Sequence, residues 1–182
     1  MIPDERQALA LHAKHGSSER VVSHCLTVTA ASRTLADALQ AKGRPIDRRA
    51  VLAGALLHDI GRSRVQTVEH GYVGAKILEE EGVDPVVVEI VRRHVGAGIS
   101  SEEAASLGFP KADYIPRTLE QRVVCFADKM VSGDGVRPFE EEEKRFIRKG
   151  HDVERLRALR KGLQDELGEN PEKVALEKSR ES

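Results

Sequence analysis

Apolar residues recur every three to four positions along most of this chain, which is the spacing of amphipathic helices. The longest such run begins after Ser17 or Ser18, either of which can cap it, and ends at Lys42-Gly43. The same spacing predicts further helices over residues 3–15, 47–58, 69–81, 84–94, 101–107 and 118–131. Polar or glycine-rich loops lie between them, and no segment alternates convincingly as a strand does. The pattern therefore predicts an all-α helical bundle.

The chain changes in character near residue 135. Residues 1–135 carry most of the regular apolar spacing and predict one helical domain, long enough to bury a real core. Residues 136–182 are densely charged, with sparse apolar positions such as Phe146, Leu156 and Leu163. We expect this segment to form a charged helical C-terminal extension of one or two amphipathic helices that packs on the domain or on a partner. The last dozen residues are expected to be frayed.

Composition narrows the classes of partner. A net charge of −1 and an aromatic content of 3% argue against binding to long nucleic acid. No stretch approaches the ~20 apolar residues that span a bilayer, and residues 1–10 lack a signal-peptide pattern. Cys25 and Cys125 lie in apolar stretches and are expected to be structural thiols. We therefore expect a cytoplasmic protein with a small-molecule partner, no membrane and no long nucleic acid, while homo-oligomerisation stays open.

Chemistry-bearing residues stand out where the apolar pattern would bury them. His58 and Asp59 adjoin at the end of an apolar run, and Gly61 then ends the helix. Asp128 lies among apolar residues of its own helix face. A buried carboxylate needs a cation or several hydrogen-bond donors. A bound metal ion meets that need, and for Asp128 the alternative is an ion pair with Lys129 or with an arginine of another helix.

Three further histidines, His24, His70 and His94, face the apolar side of their predicted helices. Each taken alone is more often a structural residue than a ligand. Together with His58 they place four imidazoles beside two carboxylates, a ligand set that suits divalent Fe, Mn, Co, Ni or Zn. The remaining histidines are expected to be solvated surface residues: His12, His15 and His151.

The order His24, then His58-Asp59, then Asp128 resembles the H…HD…D signature of the HD-domain phosphohydrolases. The tetrapeptide that begins at His58 is HDIG, the most recognisable motif of that family. The resemblance covers residues 17 to 132 approximately and implies a helical HD-domain bundle. It also implies that these four residues hold one divalent transition metal.

Two further positions resemble a two-metal branch of the same family. His70 and His94 would hold a second ion, and Asp59 would bridge it to the first. The resemblance thus implies a divalent transition metal at two ions per chain, of Fe or Mn, or of Co, Ni or Zn. Many HDIG proteins continue with lysine where this chain has Arg62. The positive charge is kept, but a compact ammonium group is replaced by a planar guanidinium.

The resemblance also implies a function, the hydrolysis of a nucleotide-like phosphoester by a hydroxide that bridges the two metals. Asp59 and Arg62 would be the catalytic residues, Asp59 by bridging the ions and Arg62 by neutralising charge on the phosphoryl oxygens. Alternatively, Arg62 only caps the end of its helix. Candidate substrates are a 2′,3′-cyclic phosphate, such as dihydroneopterin cyclic phosphate, and dinucleoside polyphosphates. A catalytically silent module that binds a nucleotide or a protein partner stays open, as does a di-iron oxygenase.

Two loops, residues 62–68 and 96–117, flank the candidate ligands and are expected to shape access to them. Tyr114 in the second loop is either a stacking residue for a base or a packing residue. Arg93 and Lys129 each adjoin a candidate ligand and are expected to be solvated.

Overall fold

The computed structural model describes residues 1–133 and 135–177, and within these ranges the chain is predominantly helical. The elements in chain order are α1 (Glu5–His15), α2 (Glu19–Ala41), α3 (Arg48–Leu57), a 3₁₀ turn (Ile60–Ser63), α4 (His70–Glu80), α5 (Pro85–Arg92), α6 (Ser101–Ser106), α7 (Leu119–Met130), β1 (Val131–Ser132), β2 (Gly135–Val136), α8 (Phe139–Arg148), α9 (Val153–Leu167) and α10 (Pro171–Glu177). None of the described helices combines the length and apolar character needed to traverse a bilayer. The prediction of an all-α fold is confirmed.

Helices begin where the sequence places a capping side chain. Ser18, Asp47, Asp84 and Thr118 each accept a hydrogen bond from a backbone N–H in the first turn of α2, α3, α5 and α7. The sequence signals for these starts were therefore accurate. α5 ends two residues earlier than predicted, so that His94 lies just beyond the helix rather than on it.

A short hairpin follows α7, in a region that the sequence predicted to be helix end and loop. β1 and β2 are antiparallel, with Val131 opposite Val136 and Ser132 opposite Gly135. Strands of two residues are too short to leave an alternating pattern, which is why the apolar spacing did not reveal them. The hairpin turns the chain from the end of α7 into α8.

The core surrounds α3, in which seven of ten residues are buried. On one side α3 packs with α2 and α7, and on the other with α1 and α5, against which α4 packs in turn. Gly54 of α3 makes close packing with α5 possible, because a Cβ there would lie 2.5 Å from Cγ2 of Ile90. Cys25 and Cys125 are both free and buried, as expected for structural thiols. The end of α3, where His58 and Asp59 lie, is thereby fixed in the centre of the bundle.

The C-terminal segment forms three described helices instead of the predicted one or two. Phe139, Phe146, Leu156 and Leu163 of α8 and α9 lie in the same apolar core as α2 and α7. In α10, Val174 and Ala175 are also buried. The predicted fraying is therefore wrong for residues 171–177, because their apolar side chains pack on the bundle, and residues 178–182 lie outside the described residues.

Two of the histidines that were expected to be solvated are largely buried. His12 is 1% exposed, and its Nε2 lies 2.7 Å from the carbonyl oxygen of Leu56. His15 contacts Glu81, with 2.8 Å between its Nε2 and a carboxylate oxygen. Both predictions failed because α1 packs back onto the bundle, a tertiary contact that the sequence of α1 alone does not reveal. His151 is exposed, as expected.

Candidate metal centre

The six side chains predicted as metal ligands come together at one point of the bundle. Each is delivered by a separate stretch of backbone except His58 and Asp59, which follow directly after α3. They are His24 on α2, His58 and Asp59 after α3, His70 at the start of α4, His94 just after α5, and Asp128 on α7. Three overlapping groups of these residues place ligand atoms within 4.8 Å of one another.

One part of the cluster centres on the carboxylate of Asp128. Its Oδ1 lies 2.9 Å from Nε2 of His24 and 3.4 Å from Nε2 of His58. Nε2 of His58 also lies 3.8 Å from Oδ2 of Asp59. These four residues are the set for which the sequence predicted a first metal.

The other part of the cluster centres on Oδ1 of Asp59. This oxygen lies 3.2 Å from Nε2 of His70 and 3.5 Å from Nε2 of His94. Because Oδ2 of the same carboxylate faces His58, the two oxygens of Asp59 face the two parts of the cluster. This is the placement that a bridging carboxylate requires.

The histidines are oriented as metal ligands are. Nδ1 of His58, His70 and His94 each lies 2.7 Å from a backbone carbonyl oxygen three residues earlier. A carbonyl can only accept, so Nδ1 carries the proton in each ring and Nε2 presents a lone pair to the cluster when the ring is neutral. Ligating histidines generally donate their other ring N–H in this way, which fixes the ring and its tautomer.

Two contacts in the cluster call for a cation. Nε2 of His70 and Nε2 of His94 are 3.1 Å apart, so that in neutral rings with protonated Nδ1 two lone pairs face each other. Nε2 of His58 is buried and has no hydrogen-bond partner within the described part of the chain. Buried polar atoms are normally paired, and divalent ions in the two parts of the cluster would satisfy these nitrogens. The residues present therefore fit a divalent metal.

The electrostatics of the cluster agree with this interpretation. Burial alone would raise the pKa of Asp59, but the charge of His58 and the contacts with His70 and His94 lower that pKa below its usual value. Burial lowers the pKa of His94 to about 4, so this imidazole is neutral and able to bind metal near neutral pH. Burial opposes a charge on His58 as well, yet nearby Cys25, Asp59 and Asp128 raise its pKa above the usual value. The centre of the cluster thus favours positive charge.

Asp128 pairs with Lys129, the alternative to a metal, and it also faces the histidines of the cluster. Nζ of Lys129 lies 2.6 Å from Oδ2 of Asp128, while Oδ1 faces the histidines. Lys129 is only 16% exposed, so the prediction that it is solvated is wrong. The ion pair and the ligand role are compatible, because they use different oxygens of the same carboxylate.

Arg62 points into the cluster and also lines the cavity beside it. Its Nε donates to Oδ2 of Asp59 at 2.7 Å, and one terminal nitrogen lies 3.4 Å from Nε2 of His70. Gly61, just before it, lets the 3₁₀ turn press against α4, since a Cβ there would lie 2.0 Å from the carbonyl oxygen of His70 and 2.6 Å from the backbone nitrogen of Gly74. The glycine of the tetrapeptide therefore sets the distance between Asp59 and His70.

A cavity of about 510 Å³ opens beside the cluster, with His70, Arg62 and Lys129 in its lining. The remaining charged residues of the lining come mostly from the C-terminal segment, which the sequence analysis did not connect with the site. They are Glu103, Glu142, Arg145, Lys149, Asp152 and Arg155. The clustering of basic residues after α8 was visible in the sequence, but their direction depends on how α8 and α9 pack.

The loop after His94 is held in place by Arg93 and Tyr114. One terminal nitrogen of Arg93 donates to the carbonyl oxygens of Asp113 and Ile115, at 2.8 and 3.1 Å, so the prediction that Arg93 is solvated is wrong. Tyr114 is buried among other aromatic rings, and its hydroxyl donates to the carbonyl oxygen of Pro110. Of its two predicted roles, the structure shows packing.

The fold and the cluster define the class of protein. The model of the HD domain matches residues 21–132, which is more than half of the chain, and the chain belongs to the HD-domain family. HD domains generally bind divalent metals, and the cluster offers groups of histidine and aspartate able to hold one.

Three relatives are informative. A tRNA (cytidine(56)-2′-O)-methyltransferase of Thermoplasma volcanium is 41% identical over 176 residues, covering 96% of this chain and 51% of that protein. A protein of the same name from Picrophilus torridus is 44% identical over 135 residues, covering 74% of this chain and 38% of that protein. An uncharacterized protein of Methanocaldococcus jannaschii is 50% identical over 120 residues, covering 66% of this chain and 71% of that protein. No solved structure matches the chain.

These names correct three predictions. They describe RNA methyl transfer, so the predicted phosphohydrolase function and the predicted class of metal-dependent phosphoric ester hydrolase are contradicted. The expectation of no long nucleic acid is also contradicted, because both names specify tRNA. Net charge misled that inference, since it averages over the whole surface and does not report basic residues gathered in one place. The chain spans about half, or less, of the two named relatives.

Proposed function

We propose that this chain is a metal-binding HD domain that binds tRNA and serves tRNA 2′-O-methylation of the kind for which its relatives are named. In this proposal the metal centre and Arg62 hold a phosphate group of the RNA. The observation that carries it is the cluster of inward-facing imidazole nitrogens and carboxylates at a cavity whose lining is rich in arginine and lysine. RNA backbone phosphates are the natural ligand for such a combination.

The proposal includes two divalent ions per chain, of Fe or Mn, or of Co, Ni or Zn. His24, His58, Asp59 and Asp128 would hold the first, and Asp59 with His70 and His94 would hold the second. The division of Asp59 between both parts of the cluster supports this count. When bound, such ions supply Lewis-acid sites for phosphate oxygens.

Arg62 and Asp59 have separate parts in holding the phosphate. The guanidinium of Arg62 is fixed by its bond to Asp59, and its lining position leaves it able to contact an anion in the cavity. A planar guanidinium can donate two parallel hydrogen bonds to a phosphate. The catalytic roles predicted for Asp59 and Arg62 stay predictions.

The part that this chain plays in methylation is bounded by its length. Because it spans about half or less of the named relatives, methyl transfer by the whole of those proteins is not assigned to the centre described above. We assign the chain the holding of RNA. We also propose a division into an HD domain, residues 1–135, and a C-terminal extension, residues 136–182, since the family match ends at residue 132. A cytoplasmic location stays a prediction.

The test is tRNA binding with and without metal in the centre. Chain stripped by a chelator and chain reloaded with Mn²⁺ are titrated with a tRNA transcript, with Mg²⁺ held constant so that the RNA fold does not change. We expect reloading to tighten binding by at least about tenfold, as for one charge-assisted phosphate contact. His58→Ala should remove the gain, whereas His15→Ala, on α1 and outside the cluster, should keep it. Equal affinity of the stripped and reloaded chains would contradict the proposal.

A further inference from the structure

The cavity beside the metal centre has a wall that lies outside the family match. This wall is built by the end of α8 and the residues that follow it, including Arg145 and Lys149. The full lining holds five arginine and lysine residues against three aspartate and glutamate residues. The wall therefore adds positive charge to a cavity that the metal centre also makes attractive to anions.

Arg145 is held at the wall by a buried acid. Its Nη1 lies 3.1 Å from both carboxylate oxygens of Glu142, which is 1% exposed. Arg137 binds the same carboxylate at 3.0 Å. Two guanidinium groups thus share one negative charge, and the side chain of Arg145 is still 40% exposed. Arg145 therefore lies in the cavity lining with a positive charge that Glu142 only partly neutralises.

Within residues 1–133 and 135–177, Lys149 is the cation of the wall that forms no ion pair. It follows the last residue of α8 and is exposed. The three acids of the lining pair with arginines and not with Lys149: Glu142 with Arg137 and Arg145, and Glu103 and Asp152 with Arg155. Lys149 can therefore meet an anion in the cavity without giving up one of these ion pairs.

Arg155 has a structural task instead. Its Nη1 donates to the carbonyl oxygen of Gly98 and to Glu103, both at 2.8 Å, and its second terminal nitrogen pairs with Asp152. These bonds tie α9 to the loop after His94. These three contacts direct both terminal nitrogens of Arg155 to protein groups, so we leave it out of the anion-binding set.

We infer that Arg145 and Lys149 form a second phosphate-binding position, so that the cavity takes a continuous RNA strand rather than a ligand with a single phosphate. The inference rests on the proposed function, in which the metal centre holds the first phosphate. The cavity volume of about 510 Å³ lies within the range of sites that enclose a complete small ligand, so it has room for more than one phosphate group. In this inference the wall holds a neighbouring phosphate of the same strand.

The test compares two double variants with the same change of charge on the same segment. Arg145→Gln with Lys149→Gln removes the proposed position, and Lys144→Gln with Arg148→Gln removes two exposed cations of α8 that do not line the cavity. Binding of a single-stranded RNA oligonucleotide and of cytidine monophosphate is measured for Mn²⁺-loaded chain over a range of salt concentrations. Circular dichroism checks that both variants are folded.

We expect the first double variant to bind the oligonucleotide about tenfold more weakly, with a salt slope that is less steep by up to about 1.4, the value for two lost contacts to a single strand. Its affinity for the mononucleotide should stay unchanged, and the control should match the unsubstituted chain with both probes. Lys149→Gln alone touches no buried acid and should give about half of the slope change.

Unchanged oligonucleotide affinity and slope in the first double variant, with metal-dependent mononucleotide binding intact, would overturn this inference alone. Equal losses in both double variants would also overturn it, since they would indicate a diffuse charge effect. If the unsubstituted chain binds both probes equally well with and without metal, the proposed function and this inference are both refuted.

Discussion

Replacing Gly61 by alanine should destabilise the chain and loosen the metal centre. The added Cβ would lie 2.0 Å from the carbonyl oxygen of His70 and 2.6 Å from the backbone nitrogen of Gly74. Both atoms belong to the backbone of α4, so no side-chain rotation relieves the overlap, and the 3₁₀ turn must move away from α4. Overpacking of this kind costs typically about 1–3 kcal/mol, and a clash with backbone belongs at the upper end. The movement also separates Asp59 from His70, whose Nε2 lies 3.2 Å from Oδ1 of Asp59 in the unsubstituted chain.

Thermal unfolding measures the effect. For a chain of this size, each kcal/mol lowers the unfolding temperature by about 2–4 °C, so a loss of about 3 kcal/mol predicts about 6–12 °C. Gly162→Ala is the matched control, because it lies inside α9 and its Cβ would meet only the flexible end of Arg122 at 3.3 Å. Alanine is favoured over glycine within helices by about 1 kcal/mol, so the control should be neutral or stabilising. An unfolding temperature for Gly61→Ala equal to that of the control would refute the close-packing argument.

Three further predictions concern stability and access. Glu142→Gln should lower the free energy of unfolding in urea by about 1–3 kcal/mol, because a buried carboxylate beside two arginines loses its charge. Glu140→Gln, at an exposed position of the same helix, should change this free energy little. Equal effects of the two substitutions would contradict the role of Glu142. Burial raises the pKa of the Cys125 thiol to about 12. Burial would also raise the pKa of the Cys25 thiol, but His58 and His12 lower it to about 7, so only its lack of exposed surface protects Cys25. Iodoacetamide should therefore label neither cysteine until the chain is unfolded, and rapid labelling of the folded chain would contradict the packing. Chelation should lower the unfolding temperature, and restoring divalent metal to a hundredfold excess over its Kd should return about 2.7 kcal/mol; an unfolding temperature indifferent to metal would count against a site formed only in the folded chain.

The sequence allowed the local structure to be predicted because local signals determine it. Capping residues such as Asp47 and Thr118 mark helix starts by hydrogen bonds made within one turn. The candidate ligands could be found as well, because histidine and aspartate among apolar neighbours need a partner. His12 shows the limit of this approach. Its partner is the carbonyl of Leu56, a contact between helices far apart in sequence that no local pattern records.

The cavity and the kind of molecule that binds there could not be predicted from the sequence for a related reason. Arg145 and Lys149 are two of many charged residues after position 135, and only the packing of α8 shows that they line the space beside the cluster. The net charge of the whole chain led to the prediction of no nucleic-acid partner, because a net charge does not record where the charged residues lie. The names of the relatives corrected that answer.

We propose above that the cluster around Asp59 is a divalent-metal centre. Elemental analysis of the purified chain after incubation with Mn²⁺ and gel filtration tests it most directly, with Asp59→Asn as the comparison, because asparagine keeps the shape but removes the bridging charge. We predict about two ions per chain for the unsubstituted protein and one or none for the variant, since both proposed ions use this carboxylate. Equal metal content in the two proteins, or no bound metal in either, would contradict the claim.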